Sequence, residues 1–537
     1  MHERYFDDLI RRFLIENNHR SILVAVPKPG LGKKLEAKER KILKEVKEQL
    51  PSDEIDNLIA ETKKLQELQL TPDSPEALAK LPSLEIQDVP KEIEKYPLEI
   101  KSQGDSKILF HELFTNGIAY TQIGFNTESV PAEMIPYIPL LGTLMLGMGT
   151  NKHSYTEISK LIGMHTGGIR NSHFSSATVH DRHQVISYIS FSGKALMEKV
   201  DNLFDVFDEL LGEYSFDDHK RLIEIIRSAK SDMEDSIVPH GNHYVLARLQ
   251  SYQSRLGKFD EITDGITYYQ FLEQLLERVE KNPEEVAGQF RQVAERVFTR
   301  KNALFNVTSD QKDYRKIEKR IVTTIGILSD KEWKVEEWNL TAVPLNEGFL
   351  TASNVQHVGK GANLYDLGFK HSGQFEVLKA LLRTGFLWDK VRVHGGAYGS
   401  GNSFDYFTGD YSLLSYRDPN LVETLGVYDE IADFLNHLDL SSEELTKIII
   451  GCVGKMDPPL TPDLKGKASM IDHLTGRTHE MKQKLREELL STRLEDLKGY
   501  APLFEKIKNK GHVCALGNED KLKKSKSVFG QLVKVFH

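Results

Sequence analysis

Cysteine is almost absent from this sequence of 537 residues. Only Cys452 and Cys514 occur, and they are too far apart to form a CxxC pair. A disulfide framework and a thiolate metal site are both excluded by this count. The composition therefore favours a protein of a reducing compartment.

The sequence also lacks an excess of positive charge, since 70 Lys and Arg stand against 79 Asp and Glu. A net charge of −9 repels a phosphate backbone, so nucleic acid is not an expected partner. The longest uncharged apolar stretch, residues 134–151, is interrupted by proline and glycine, whereas a membrane-spanning helix needs about 20 apolar residues. We predict that this stretch is buried core and that the chain has no membrane partner.

No basic signal or transit segment opens the chain, because its first residues, MHERYFDDLI, include acidic ones. The expected location is the cytoplasm of a bacterium or an organelle matrix of a eukaryote. Residues 1–30 are predicted to hold a short helix, Tyr5 to Ile15, and an apolar strand, Ile22 to Val26. A lone strand needs a partner for its backbone groups, so it either pairs with a distant strand of this chain or belongs to a sheet in a segment that this chain lacks.

Residues 31–100 are predicted to form a linker with two parts. Apolar residues recur at helical spacing between Lys33 and Glu67 around a break at Pro51, which indicates a charged helical hairpin. The following stretch contains Pro72, Pro75, Pro82, Pro90 and Pro97, a frequency that suits an extended linker.

The rest of the chain repeats one order of elements. Each repeat is predicted to run from an apolar strand through a helix and a hairpin to a series of helices, then a last strand and helix. In the first, strands Ile108 to Phe114 and Ile118 to Phe125 are predicted to pair around Asn116-Gly117. Helix starts are predicted at Asn282-Pro283 and at Asp418-Pro419. We therefore predict an α+β fold with two homologous domains, 101–330 and 331–537, each a mainly antiparallel sheet covered by helices.

Common catalytic signatures are missing. The 19 histidines form neither HExxH nor the inverted HxxEH, and neither GxSxG nor GxxxxGK[ST] occurs. One segment differs, LWDKVRVHGGAYGSG, in which Arg392, His394, Gly396 and Tyr398 are separated by even steps. On an extended strand they would share one face, where glycines would let a ligand approach the backbone. The residues alone leave open an edge strand with an ordinary arginine and a core tyrosine.

The strings NEGF, VGKGANLYDLG, LWDKVRVHGGAYGSG and LSYRDPNLVETLGVYDEIADFL extend from Asn346 through Leu435. They resemble the C-terminal half of the presequence protease and falcilysin group, which are pitrilysin-type zinc metallopeptidases. The resemblance implies four homologous α+β domains in two halves that close around an unfolded peptide. It implies zinc in the full enzyme, held by HxxEH and a downstream Glu of the N-terminal half, and a metal site nowhere in this chain. Leu140, Thr143 and Leu144 stand where the ligands would be.

The same resemblance assigns substrate-binding and catalytic roles to two residues of this chain. Arg392 would hold a substrate carbonyl, and Tyr398 would donate its hydroxyl to the oxyanion of the reaction. It gives His394 no role. Residues 1–30 would then be the remnant strand and helix of the N-terminal half, which is the expected partner together with unstructured peptides.

The function expected from the resemblance is that of a zinc metalloendopeptidase half that is inactive alone. The full enzyme would degrade short unstructured peptides in a closed chamber. The alternative is a catalytically inactive subunit that binds peptides or assembles with another protein.

Overall fold

The computed structural model describes residues 4–26, 28–71, 73–78, 80–82, 84–340 and 343–536. The predicted linker position Pro72 lies outside these residues. The chain divides into two compact units, Met1–Ser83 and Leu84–His537. Within the described ranges, none of the helices combines the length and apolar character that a membrane crossing needs.

The first unit is helical. Its α-helices are α1 (Tyr5–Ile10), α2 (Leu31–Gln49), α3 (Ser52–Leu70) and α4 (Pro75–Leu78). A π-helical turn, Arg11–Ile15, continues α1, so the predicted first helix is confirmed. Two helices separated at Pro51 are also present, as predicted, but apolar residues of both, such as Leu43 and Leu58, are exposed, so their packing as a hairpin stays a prediction.

The predicted strand Ile22 to Val26 has no partner strand in the part of the chain that the structure describes. These residues have no regular secondary structure and are highly exposed, so their role as a remnant strand of a preceding half stays a prediction. A strand exists only where a neighbour completes its backbone hydrogen bonds. An apolar run rich in β-branched residues has a high propensity for a strand, but the run itself cannot supply the neighbouring strand.

The second unit begins with one sheet and the helices around it. Its strands are β1 (Glu99–Gln103), β2 (Ser106–Glu112), β3 (Ile118–Asn126), β4 (Ile169–Ser176), β5 (Ile186–Leu196) and β6 (Ala303–Ser309). Its helices are α5 (Ile138–Gly147), α6 (Tyr155–His165), α7 (Val200–Gly212), α8 (His219–Ile237), α9 (Gly241–Gln253), α10 (Arg255–Asp264), α11 (Ile266–Lys281), α12 (Pro283–Val297) and α13 (Gln311–Ile327).

A second sheet follows. Its strands are β7 (Glu347–Thr351), β8 (His357–Asn363), β9 (Gly399–Phe404), β10 (Asp410–Tyr416), β11 (His512–Asn518) and β12 (Gln531–Lys534). Its helices are α14 (Gly373–Leu381), α15 (Val422–Asp429), α16 (Ile431–Asn436), α17 (Ser442–Met456), α18 (Pro462–Thr475), α19 (His479–Leu490), α20 (Leu494–Lys498), α21 (Ala501–Lys510) and α22 (Glu519–Lys524).

The two sheets share one topology. Their orders are β1-β2-β6-β3-β5-β4 and β12-β7-β11-β8-β10-β9. In the first sheet β6 lies parallel to β2 and antiparallel to β3, and in the second β11 lies parallel to β7 and antiparallel to β8. The sheets differ only at one edge, which is formed by β1, ahead of the first repeat, and by β12, after β11 in the second. The predicted fold class is confirmed, while the domain boundaries at 101, 330 and 331 stay a prediction.

Two local predictions are corrected by this topology. The strands predicted to pair around Asn116-Gly117 are not neighbours, since β6 lies between β2 and β3. The predicted helix start at Asp418 is also wrong, because its carboxylate accepts hydrogen bonds from the backbone of Asn420 and the hydroxyl of Thr424, and α15 begins only at Val422. The start at Asn282-Pro283 is confirmed, with the Asn282 side chain accepting from the Glu285 N–H.

Each sheet is covered in part by helices from the other repeat. Helix α9 packs on β8, β10 and β11 of the second sheet, while α18 packs on β6 and β2 of the first. Met470 of α18 lies with Leu109 and Leu304 in a small apolar cluster of its own. The long apolar stretch predicted to be core is confirmed as such, since Leu140, Leu141 and Leu144 of α5 are buried. These exchanged helices join the two repeats.

A buried ion network lies where α9 and α10 meet the second sheet. The Arg248 guanidinium donates to both carboxylate oxygens of Glu347, at 2.5 and 3.0 Å, and to Glu261 at 2.9 Å. Arg248 is 7% exposed and both glutamates are fully buried. Burial opposes the charge of Arg248, but the hydrogen bonds to Glu347 and the two nearby carboxylates raise its pKa. The network is therefore ionic and links the first repeat to β7.

Asp410 carries a second link between the repeats and gives a test of pH dependence. Its carboxylate accepts from the Ser254 hydroxyl and from the Asn363 amide. Burial raises the pKa of Asp410 to about 7. Because this folded-state pKa lies above the unfolded value of about 3.9, its contribution to stability is full below pH 4 and is lost as the pH rises through 7.

We expect Asp410→Asn to stabilise the protein more at pH 8 than at pH 5. The amide has the shape of the protonated acid and does not ionise, so the difference between the two pH values should be on the order of 2–3 kcal/mol. Thermal unfolding of both proteins at the two pH values measures it. Asp433→Asn, at a side chain 79% exposed, is the control and should show no such difference. Equal effects of the two substitutions at both pH values would contradict the argument.

Candidate functional site

The segment that contains Arg392 and Tyr398 is not a strand. A π-helical turn, Trp388–His394, leads into Gly395, and β9 begins only at Gly399. The predicted extended face is therefore wrong. Residues four positions apart also lie on the same side of a helix. Trp388 and Arg392 are four apart, and the guanidinium carbon of Arg392 lies 4.5 Å from the centre of the Trp388 ring.

Glycine ends this turn and reverses the chain. Gly396 has a φ of +77°, a left-handed conformation that glycine adopts without strain. Its N–H donates to the Arg392 carbonyl at 3.0 Å, and the next N–H, of Ala397, donates to Val391 at 3.1 Å. The glycines that suggested an open strand therefore fold the chain back toward its own helix. Tyr398 returns to Arg392 as a result.

The two predicted site residues are in contact. The Arg392 guanidinium carbon lies 5.1 Å from the centre of the Tyr398 ring, which is a cation–π contact. Tyr398 is 64% exposed, so it is not a core tyrosine. The alternative interpretation of Tyr398 as a buried structural residue is therefore excluded.

His394 does not join this pair. Its ring nitrogen Nδ1 lies 3.0 Å from the Asp389 carbonyl oxygen, within the same helical turn. The side chain is 59% exposed. The same nitrogen lies 3.3 Å from the Asp389 carboxylate, so both contacts of His394 are local ones to Asp389.

A second arginine borders the same cleft and was missed in the sequence. A surface cleft of about 320 Å³ is lined by Arg392, Val393, Gly396, Ala397, Tyr398 and Arg417. Arg417 follows β10, accepts the Tyr398 N–H on its carbonyl at 3.3 Å, and has a left-handed φ of +48°. Non-glycine residues with positive φ concentrate at functional sites. The sequence signal was an arginine next to Asp-Pro at the end of an apolar strand.

Both arginines of the cleft contact aromatic rings. Tyr416 makes an edge contact with Tyr398, with 5.8 Å between ring centres, and the Arg417 guanidinium lies 5.3 Å from the Tyr416 ring centre. Behind Tyr416 lies His357, whose pKa is lowered to about 4, mainly by burial. A neutral His357 adds no positive charge, so the charge of the cleft comes from the two arginines.

The residues of this chain do not fit a zinc ion. Within the described ranges no group of three or more His, Cys, Asp and Glu is placed to hold a metal. Helix α5 presents Leu140, Thr143 and Leu144, and a hydroxyl among aliphatic side chains is no ligand set for zinc. The arrangement in the cleft can bind a carbonyl or an anion and can donate a phenol proton in a hydrogen bond.

Comparison with known proteins assigns both repeats. Residues 26–275 match the model of the domain associated with peptidase family M16, subfamily C, and residues 346–519 match the model "PreP C-terminal domain". The chain is 34% identical over 516 residues to presequence protease 1, chloroplastic/mitochondrial, of Arabidopsis thaliana. The chain is similar to the C-terminal half of the presequence-protease-like, pitrilysin-type metallopeptidases. The predicted resemblance to presequence proteases is thereby confirmed.

Two further comparisons concern the extent of the match and the fold. The chain is 34% identical over 531 residues to protein HypA of Clostridium perfringens, covering 99% of this chain and 54% of that protein. The match to the Arabidopsis protein covers 96% of this chain and 48% of the relative. The chain thus spans about half the length of the curated relatives it matches. A peptidase M16 inactive domain from Pseudomonas fluorescens shares the fold, with a TM-score of 0.57 at 14% identity over 79% of this chain and 98% of that domain.

Proposed function

We propose that this chain is the non-catalytic half of a zinc metalloendopeptidase that degrades short unstructured peptides in a closed chamber. Arg392 and Tyr398 would act on a peptide whose scissile bond is held at a zinc site in a preceding half. The location would be the bacterial cytoplasm or an organelle matrix. The domains would be a remnant at 1–30, a linker at 31–100, a first domain at 101–330 and a second at 331–537.

The observation that carries the proposal is the convergence of Arg392 and Tyr398 on one exposed cleft. Their side chains come from a helical turn and from the start of a strand, and a glycine reversal brings them together. An exposed phenol beside a guanidinium is suited to a substrate that arrives from outside the chain. Arg392 would hold a backbone carbonyl by a charge-assisted hydrogen bond, and Tyr398 would donate to the oxyanion of the tetrahedral intermediate.

Zinc in this proposal is held by the preceding half. The family supplies the expectation of zinc, and the donor set of this chain does not fit it. Zinc would supply Lewis acidity at the scissile carbonyl. The contribution of this chain is to bind, orient and hydrogen-bond the peptide.

The chain by itself should bind no stoichiometric zinc and hydrolyse no peptide, while a full-length protein with the preceding half should do both. The reason is that Leu140, Thr143 and Leu144 cannot be ligands. Elemental analysis after dialysis and a chelator-sensitive assay on an unstructured peptide measure the two properties.

The same assay decides between the proposed function and a subunit that only binds peptides. Full-length protein that binds zinc but leaves every unstructured peptide intact would favour the binding subunit. Near-equimolar zinc with chelator-sensitive hydrolysis by the chain alone would contradict the proposal directly.

A further inference from the structure

A separate polar cavity lies on the first sheet, away from the Arg392 cleft. Its volume is about 320 Å³, and it is bounded by β3, β4, β5, β6 and the first turns of α18. This volume is near the lower end of the range for small-molecule sites. The cavity therefore suits a small ligand or the end of a longer one.

Buried polar side chains form the floor. Along β3, Ile123 and Phe125 belong to the apolar core, so Gln122, which directly precedes Ile123, points to the opposite face. Asn306 and Thr308 of β6 reach the same face by the same alternation with Phe305 and Val307. Gln122 is 8%, Asn306 5% and Thr308 2% exposed.

The Gln122 carboxamide has no hydrogen-bond partner among the described residues, although it is more than nine-tenths buried. Because Gln122 lines the cavity, its carboxamide can donate to and accept from a ligand there.

Three cations stand at the rim, and one acid accompanies them. Arg170, Lys194 and Lys467 line the cavity and form no ion pair in the part of the chain that the structure describes. The nearby Lys465 and Lys482, by contrast, are paired with Glu94 and Asp472. Unpaired cations are notable in a chain of net charge −9.

The single acid of the cavity, Asp463, is engaged at the start of α18. It accepts the Thr461 hydroxyl at 2.6 Å in the first turn of that 14-residue helix. The helix places its positive dipole end at the cavity and adds to the potential of the cations. The local field therefore favours negative charge despite Asp463.

We propose that this cavity binds an oxyanion, such as the carboxylate of a peptide end or a free small anion, with the rim cations holding the charge and Gln122 bonding a polar group beside it. This inference does not depend on the proposed peptidase function, because the cavity belongs wholly to this chain. A peptide carboxylate and a free phosphate are both oxyanions that the cations could bind. The probes below distinguish these two ligands.

Calorimetric titration of the chain with three probes tests the proposal. The probes are an unstructured peptide with a free C-terminal carboxylate, the same peptide amidated, and inorganic phosphate. The double variant Arg170→Met with Lys467→Met should weaken binding of the acid peptide or of phosphate at least tenfold. The control, Arg315→Met with Lys319→Met, removes the same charge from exposed positions of α13 and should bind as the unaltered chain does.

Gln122→Leu separates a ligand role from a structural one. It should weaken ligand binding while leaving Tm nearly unchanged, because leucine has a similar volume and the change removes only the groups that would bond a ligand. Tight binding of the acid peptide but not of the amide identifies a peptide end, and binding of phosphate with neither peptide identifies a free anion. The proposal is overturned if neither the acid peptide nor phosphate binds, if amide and acid bind equally, or if the control variant loses as much affinity as the cavity variant.

Discussion

If the proposed function holds, replacing Tyr398 by phenylalanine is expected to lower kcat of a full-length protein that includes the preceding half by about 100- to 1,000-fold with little change in KM. A phenol that bonds only the oxyanion stabilises the transition state more than the bound substrate. The loss of one such donor corresponds to about 2.7–4 kcal/mol. Steady-state kinetics on an unstructured peptide measures the effect.

The fold should be indifferent to this substitution. Tyr398 is 64% exposed, and its ring contacts with Arg392 and Tyr416 remain available to phenylalanine. Tm should therefore stay unchanged. The control is Tyr155→Phe, since Tyr155 is also an exposed tyrosine under an arginine, with the Arg221 guanidinium 4.2 Å from its ring centre. A Tyr398→Phe enzyme with full kcat would remove the hydroxyl from the mechanism.

Arg392→Ala should act differently in the same assay. A carbonyl clamp acts on bound substrate before reaction, so KM should rise along with the fall in kcat. The split between the two variants separates binding from transition-state stabilisation. Identical kinetic defects would contradict the separate roles.

Replacing Arg248 by methionine should destabilise the chain by about 3–5 kcal/mol, because it leaves buried carboxylates without their counter-charge. Glu261 and Glu347 are fully buried, and neither can be rehydrated without opening the contact between α9, α10 and β7. Calorimetric unfolding measures the loss. The two repeats should also begin to unfold separately, since Arg248 holds them together.

An exposed ion pair provides the matched control for Arg248. Arg227 lies 2.7 Å from Glu280 on the surface, with the two side chains 56% and 46% exposed. Arg227→Met should cost about 0–1 kcal/mol, as surface pairs do. Equal losses from the two substitutions would mean that the buried network does not hold the repeats together.

Local sequence rules predicted much of the fold. Asn282 and Pro283, for example, mark the start of α12. Such signals work because the side chain that caps a helix is three residues from the N–H it binds. The repeated order of elements along the chain also predicted two related sheets.

What the sequence did not show were contacts between distant segments. Strand β6 enters between β2 and β3, and no turn signal near Asn116-Gly117 reports an insertion made almost two hundred residues later. At the site, Arg392 and Tyr398 do lie together, but on a different element from the predicted strand. Residues four apart, such as Trp388 and Arg392, lie on the same side of a strand and also on the same side of a helix. Only Gly396 distinguishes the helical turn from the predicted strand.

The exchange of α9 and α18 between the repeats sets an order on synthesis at the ribosome. The first sheet is complete once β6, which contains Leu304, has been made, but Met470, which covers Leu109 and Leu304, follows much later. At about 5–20 residues per second, roughly 8 to 33 s separate the two events. During that time the nascent first sheet exposes an apolar patch, so the usual order, in which an N-terminal domain is finished before the next begins, does not apply. Both repeats are completed together, and the growing chain needs protection from aggregation until α18 has left the ribosome.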